Sequence, residues 1–119
     1  MSDEREFVDY LLELLAPVDG VTAKRMFGGF GLFRHGLMFG LVADSVLYFK
    51  VDEANLADFE AVGAEPFLYD KGGKSVAMSY YTAPGEALDN SDDMQEWAAI
   101  AYQAAVRAAA KKKPKRKKS

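Results

Sequence analysis

The sequence contains no cysteine. That absence excludes disulfides and thiolate metal sites, and it suits a reducing cytoplasmic compartment. A single histidine, His35, stands among 119 residues. One imidazole cannot build a histidine metal cluster, and without thiolates zinc would need mostly carboxylate ligands. No apolar run approaches the roughly 20 residues that span a bilayer. The acidic opening Ser2-Asp3-Glu4-Arg5-Glu6 lacks the basic-then-apolar order of a secretory signal. A cytoplasmic protein with no membrane partner is the expectation. Basic residues are scarce through most of the chain: residues 1–110 hold 8 of them against 18 acidic ones, a net of −10. Such a body repels polyanions.

The missing positive charge is concentrated at one end. Lys111, Lys112, Lys113, Lys115, Arg116, Lys117 and Lys118 surround Pro114, with no acid among them. A proline inside a like-charge run opposes helix, and self-repulsion favours an open chain. The division is therefore a folded domain over residues 1–110 and a disordered basic arm over residues 111–119. These seven cations are the candidate nucleic-acid contacts, weak and without sequence preference, because a flexible arm neutralises phosphates but reads no base edges. The alternative for the arm is a solvated tail.

Half of the residues are hydrophobic and 13% are aromatic, enough for one packed domain without staples. Phe7, Leu11, Leu14 and Leu15 recur at helical spacing, and Pro17 and Gly20 stop that helix. Three apolar strands follow: Phe30-Gly31-Leu32-Phe33, then residues 37–42, then residues 46–51. Turns at Arg34-His35-Gly36 and Ala43-Asp44-Ser45 separate them. Connections this short force antiparallel neighbours. Asp52 opens a short helix with Leu56, Phe59 and Val62 on one face, and Gly63 ends it. Phe67-Leu68-Tyr69 and residues 76–81 read as two more strands, joined by a hairpin at Asp70-Lys71-Gly72-Gly73-Lys74. A long helix over about residues 92–110, capped by Ser91 or Asn90, turns Met94, Trp97, Ala101, Ala104 and Ala108 inward. The predicted fold class is α+β: a single antiparallel five-stranded sheet with helices, in the order α-β-β-β-α-β-β-α.

Catalytic groupings are hard to find, and no catalytic residue, metal ligand or cofactor motif is assigned. His35 fits a solvated turn better than a proton shuttle. Gly28-Gly29-Phe30-Gly31 does not open a helix after a strand, so it is no phosphate loop. Glycines entering a strand more often mark a bulge or a close backbone contact. Gly72-Gly73 fits a hairpin tip, and Asp92 with Asp93 fits the positive end of a helix. The aromatic residues could stack bases, yet a domain this small needs them as core, and an acidic body opposes nucleic acid. Arg25, beside Gly28 and Gly29, is the best polar candidate for a ligand or partner site, since its fork suits carboxylate or phosphate. The plainer expectation for Arg25 is an ion pair with a nearby acid.

The string Arg25-Met26-Phe27-Gly28-Gly29-Phe30-Gly31 resembles the opening of the TfoX/Sxy N-terminal domain. The resemblance continues through Gly36-Leu37-Met38-Phe39 and Tyr48-Phe49-Lys50-Val51-Asp52. It resumes at Gly63-Ala64-Glu65-Pro66-Phe67 and Val76-Ala77-Met78-Ser79-Tyr80-Tyr81, and ends near Pro84 and Trp97. It implies a secretion-chaperone-like α+β fold and no catalytic activity. Full-length family proteins are similar to transcriptional co-regulators of competence genes that work with the cyclic-AMP receptor protein. In those proteins a second helical domain follows, whereas this sequence continues into the basic arm. The implied function is a non-enzymatic regulatory or interaction module. Its partner would be a protein such as a transcription factor, or a second copy in a homodimer. The competing readings are a small-ligand protein or enzyme with a cleft near Arg25 and the glycine-rich entry, and a purely structural dimer.

Overall fold

The computed structural model describes residues 3–26, 29–71 and 74–112. Its elements are α1 (Asp3–Leu14), β1 (Val21–Met26), β2 (Gly29–Arg34), β3 (Leu37–Ala43), β4 (Val46–Lys50), α2 (Leu56–Ala61), β5 (Pro66–Lys71), β6 (Lys74–Thr82), a 3₁₀ turn (Gly85–Leu88) and α3 (Ser91–Lys112). The sheet is antiparallel throughout and has six strands, in the order β1-β2-β3-β4-β6-β5. The α+β class is as expected, but the predicted five strands are one too few.

The added strand is β1. Its sequence Val-Thr-Ala-Lys-Arg-Met carries only weak alternation, with Val21 and Ala23 half-buried between exposed Thr22 and Lys24. As an edge strand it pairs on one side only, with β2, from Val21 opposite Arg34 to Met26 opposite Gly29. Its extended form rests on that ladder rather than on strong strand formers. A charged residue such as Lys24 also suits an edge that must not recruit another chain.

The two early hairpins turn as expected. His35 and Gly36 have φ of 51° and 82°, and Asp44 and Ser45 have φ of 51° and 60°. Paired positive φ values give type I′ turns, whose twist matches the flanking strands. Gly63 ends α2 at φ 75° in a Schellman arrangement: its N–H bonds the Glu60 carbonyl, and the Ala64 N–H bonds that of Phe59. At the start of α3 the cap is Asn90, whose Oδ1 accepts from the Asp93 N–H at 2.8 Å. Ser91 instead donates to the Leu14 carbonyl at 2.7 Å, which ties the end of α1 to the start of α3.

Residues opposite each other on paired strands share a face. Phe30, Val42 and Leu47 form one inner row, and Leu32, Gly40 and Phe49 the next. Leu32 pairs with Gly40 while Phe33 pairs with Met38, so Phe39 is the extra residue of a bulge. The bulge brings Phe39 to the inner side, where it stacks near Phe49 and meets Tyr102 edge-on. Onto this face pack Val8, Leu11 and Leu15 of the N-terminal segment, Phe59 of α2, and Met94, Trp97, Ala98, Ala101 and Ala105 of α3. The alanines let α3 lie close to the sheet.

Candidate functional site

Arg25 stands on the edge strand β1, opposite Phe30. Its guanidinium lies 5.3 Å from the centre of the Phe30 ring, and Arg5 of α1 lies 5.7 Å from the same ring. In place of the expected ion pair, Arg25 makes a cation–π contact that covers a core aromatic from the solvent side. Gly29 serves a backbone contact: a Cβ built there would sit 2.0 Å from the Val42 carbonyl oxygen. This matches the close-approach reading of the glycine-rich entry. Gly28, Gly72 and Gly73 lie outside the described residues. Of the basic run, Lys111 and Lys112 fall in the last turn of α3, a residue or two past the predicted end of that helix. Lys113, Lys115, Arg116, Lys117 and Lys118 lie outside the described residues. His35 is exposed, and its ring sits 6.4 Å from that of Tyr102.

Three arrangements were not foreseen from the sequence. The first joins the end of β4 to α3. Asp52 accepts from the Ala54 and Asn55 N–H groups, and from Arg107 Nε at 2.6 Å and Nη2 at 3.0 Å. Asn55 is the buried polar residue here: its Oδ1 accepts from the Asp52 N–H, and its Nδ2 donates to the carbonyls of Lys50 and Ile100. The Arg107 fork holds the Asp52 carboxyl below its ordinary range, and the two backbone N–H bonds act in the same direction. All of these residues serve the turn, so the network is structural. A carboxyl lowered on folding contributes stability that is complete above the unfolded value near 3.9 and is lost as pH falls through the folded value. Arg107→Gln should therefore cost about 1 kcal/mol at neutral pH, the pair being partly exposed. It should also remove part of the acid-side decline in stability. Urea titrations of parent and variant between pH 7 and pH 3 check this, and an unchanged pH slope would reject it.

The second arrangement is a pair of cavities against α3. The larger, about 360 Å³, lies between the α1–β1 loop, the β2–β3 turn and α3, and Arg34, Asp19, Gln95 and Tyr102 supply its polar atoms. Arg34 is held firmly: its Nε donates to the Asp19 carbonyl at 2.9 Å, and its guanidinium stands 4.8 Å from the Tyr102 ring centre. The smaller, about 220 Å³, is bordered by Lys50, Tyr80 and the alanines of the last turns of α3. Burial pushes the Tyr80 phenol up to about 12. Its hydroxyl is 3.5 Å from the Met38 carbonyl, and the Lys50 ammonium lies 5.2 Å from the ring centre. Arg25 borders neither cavity.

The third arrangement is the outer face of the sheet. Gly31, Leu41, Tyr48 and Thr82 form one outer row, and Thr22, Phe33 and Met38 another. Leu41 is only 2% exposed, yet it stands apart from the core that the helices cover. The missing side chain at Gly31 leaves a dimple, and Met26, Phe33 and Met38 crowd over it. Tyr48 and Phe67 pack edge to face at 4.9 Å, with Val46 exposed beside them. Burial pushes the Tyr48 phenol up, and the charges of Asp44 and Glu65 add to this. Most of the aromatic residues are expected in the core, and Phe33, Tyr48 and Phe67 are the ones that lie on the outer face instead.

Among the described residues, no group of three or more histidine, aspartate or glutamate side chains is placed to hold a metal ion. None of the described helices is long and apolar enough to cross a membrane. Among the described residues, the domain has one sheet face covered by helices and one that no described helix covers. The chain belongs to the TfoX N-terminal domain family, whose model matches residues 13–105. That span includes all six strands, α2, the 3₁₀ turn and most of α3, but only the last two residues of α1. A comparison with curated proteins finds no match.

Proposed function

We propose that this domain is a non-enzymatic regulatory module that docks a protein partner on the outer face of its sheet, with the basic arm holding it near nucleic acid. The observation that carries the reading is the outer face: Met26, Phe33, Met38, Tyr48 and Phe67 lie half-buried on it, and Val46 is exposed. Apolar and aromatic groups gathered on an open surface suit a partner of apolar character. The acidic body argues for a protein over a nucleic acid on this face. Membership of a family tied to competence-gene regulators supports a role in transcription control.

The arm contributes differently. Seven cations would neutralise phosphates, with log affinity falling against log salt at a slope near −4 to −5 if about five are engaged. Affinity purification from the native cell, with and without nuclease, separates the two contributions. Phe33→Ser and Tyr48→Ser should each cost about 1–3 kcal/mol of stability, since both side chains are partly buried. They should lose a protein that the parent retains after nuclease treatment. A chain ending at Lys112 should keep that protein and release the nucleic acid. Retention of the partner by both serine variants would remove the outer face from the proposal.

A further inference from the structure

We propose that the larger cavity against α3 binds a small monocarboxylate with an apolar body, its carboxylate gripped by Arg34. This stands independently of the partner-docking reading, because the cavity lies on the helix side of the sheet. Its volume of about 360 Å³ falls within the range of small-molecule sites. Pro17, Val18, Ala98 and Ala99 give it apolar walls of short side chains, which leave room for a ring or a short alkyl chain.

Arg34 is arranged in advance for an anion. The type I′ turn at His35 and Gly36 fixes the backbone that follows it. The α1–β1 loop is stitched to that turn, because the His35 N–H bonds the Gly20 carbonyl and the His35 ring packs over Gly20. One nitrogen of the guanidinium is committed to the Asp19 carbonyl, and one side of it to Tyr102. Both Nη groups are without an ion pair or hydrogen bond among the described residues. A guanidinium held in this way loses little freedom on meeting a planar carboxylate, and its remaining fork matches that anion in geometry.

The charge of the anion follows from its surroundings. Asp19 borders the same cavity, and residues 1–110 carry a net of −10. A phosphate dianion doubles the attraction to Arg34 and the repulsion from the acidic body alike, but its desolvation cost rises more steeply with charge, which favours a monocarboxylate beside a single arginine. Gln95 gives its amide N–H to Ser91 at 3.0 Å, which leaves its carbonyl oxygen to accept from a ligand hydroxyl or ammonium.

The test titrates 3-phenylpropionate into the isotope-labelled full chain and follows amide chemical shifts. Saturable shifts centred on Val18, Arg34, Ala98 and Ala99 are expected. The neutral 3-phenylpropionamide should bind about 10- to 100-fold more weakly, the equivalent of losing a charge-assisted pair. Arg34→Gln should weaken the acid by a similar factor and leave the amide unchanged. Ala99→Leu, at an exposed helix position, should fill the wall and weaken both ligands about tenfold or more. If Arg34→Gln fails to fold, Ala99→Leu together with the acid-to-amide ratio decides. No saturation by the acid, equal binding of acid and amide, or indifference to both substitutions would overturn the site. Tighter binding of phenyl phosphate than of the carboxylate would overturn the ligand class.

Discussion

Gly29→Ala is expected to abolish cooperative folding or to cost about 3 kcal/mol or more, against a typical total of about 5–15 kcal/mol. The cause is a backbone collision. The new methyl would sit 2.0 Å from the Val42 oxygen, 3.1 Å from the Val42 carbonyl carbon and 3.4 Å from the Ala43 Cα. No side-chain rotamer relieves a clash with a main chain. Either β2 moves away from β3, breaking the ladder that begins at Phe30 opposite Val42, or β1 loses the pairing of Met26 with Gly29. Gly36→Asn is the contrasting substitution. Gly36 has φ of 82°, but nothing lies within 4 Å of its added Cβ, and asparagine tolerates positive φ. That variant should stay within about 1 kcal/mol of the parent. Urea unfolding followed by circular dichroism measures both. A Gly29→Ala chain as stable as the Gly36→Asn chain would refute the close-approach account.

The second large effect belongs to Trp97, the single tryptophan of the chain. It is 9% exposed, meets the Phe59 ring edge-on at 5.0 Å, and donates from its indole nitrogen to Glu86 at 3.1 Å. It therefore joins α3, α2 and the 3₁₀ turn at one point. Trp97→Ala should cost about 3–5 kcal/mol, from lost burial and from the cavity left beside Phe59. Trp97→Phe should recover most of this and lose the bond to Glu86. Because the substitution removes the intrinsic fluorophore, the unfolding is read by far-ultraviolet circular dichroism. An alanine variant with the parent's midpoint would mean that the ring contributes no packing.

Where the sequence reading succeeded, the signal was local. The turn at His35-Gly36 is written in a glycine that accepts positive φ, and Gly63 ends α2 by the same property. Helical spacing placed Leu11, Leu15, Met94, Trp97 and Ala101 in the core. Where it failed, the missing information lay across the chain. β1 shows weak alternation and owes its form to β2. Arg25 was matched with an unspecified acid because charge is visible in a sequence and a ring stacked from the next strand is not. Asp52 is legible as the opener of the short helix, but its pairing with Arg107 is not, because 55 positions separate the arginine from its aspartate. Arg34 and Tyr102, which define the larger cavity, meet only where the β2–β3 turn reaches α3.

By itself the sequence determined the α+β class, the order of the helices and most strands, the positions of the two early hairpin turns, the acidic body with its basic end, and the family. Each of these follows from periodicity, from residues with special backbone freedom, or from composition. Only the tertiary structure decided the sixth strand, the bulge that turns Phe39 inward, the open outer face and the fixed guanidinium of Arg34. The physical reason is that sheet neighbours and helix-to-turn contacts depend on pairing register. A shift of one residue along a strand exchanges its two faces, so which aromatic residue is core and which is surface is settled by the strand beside it.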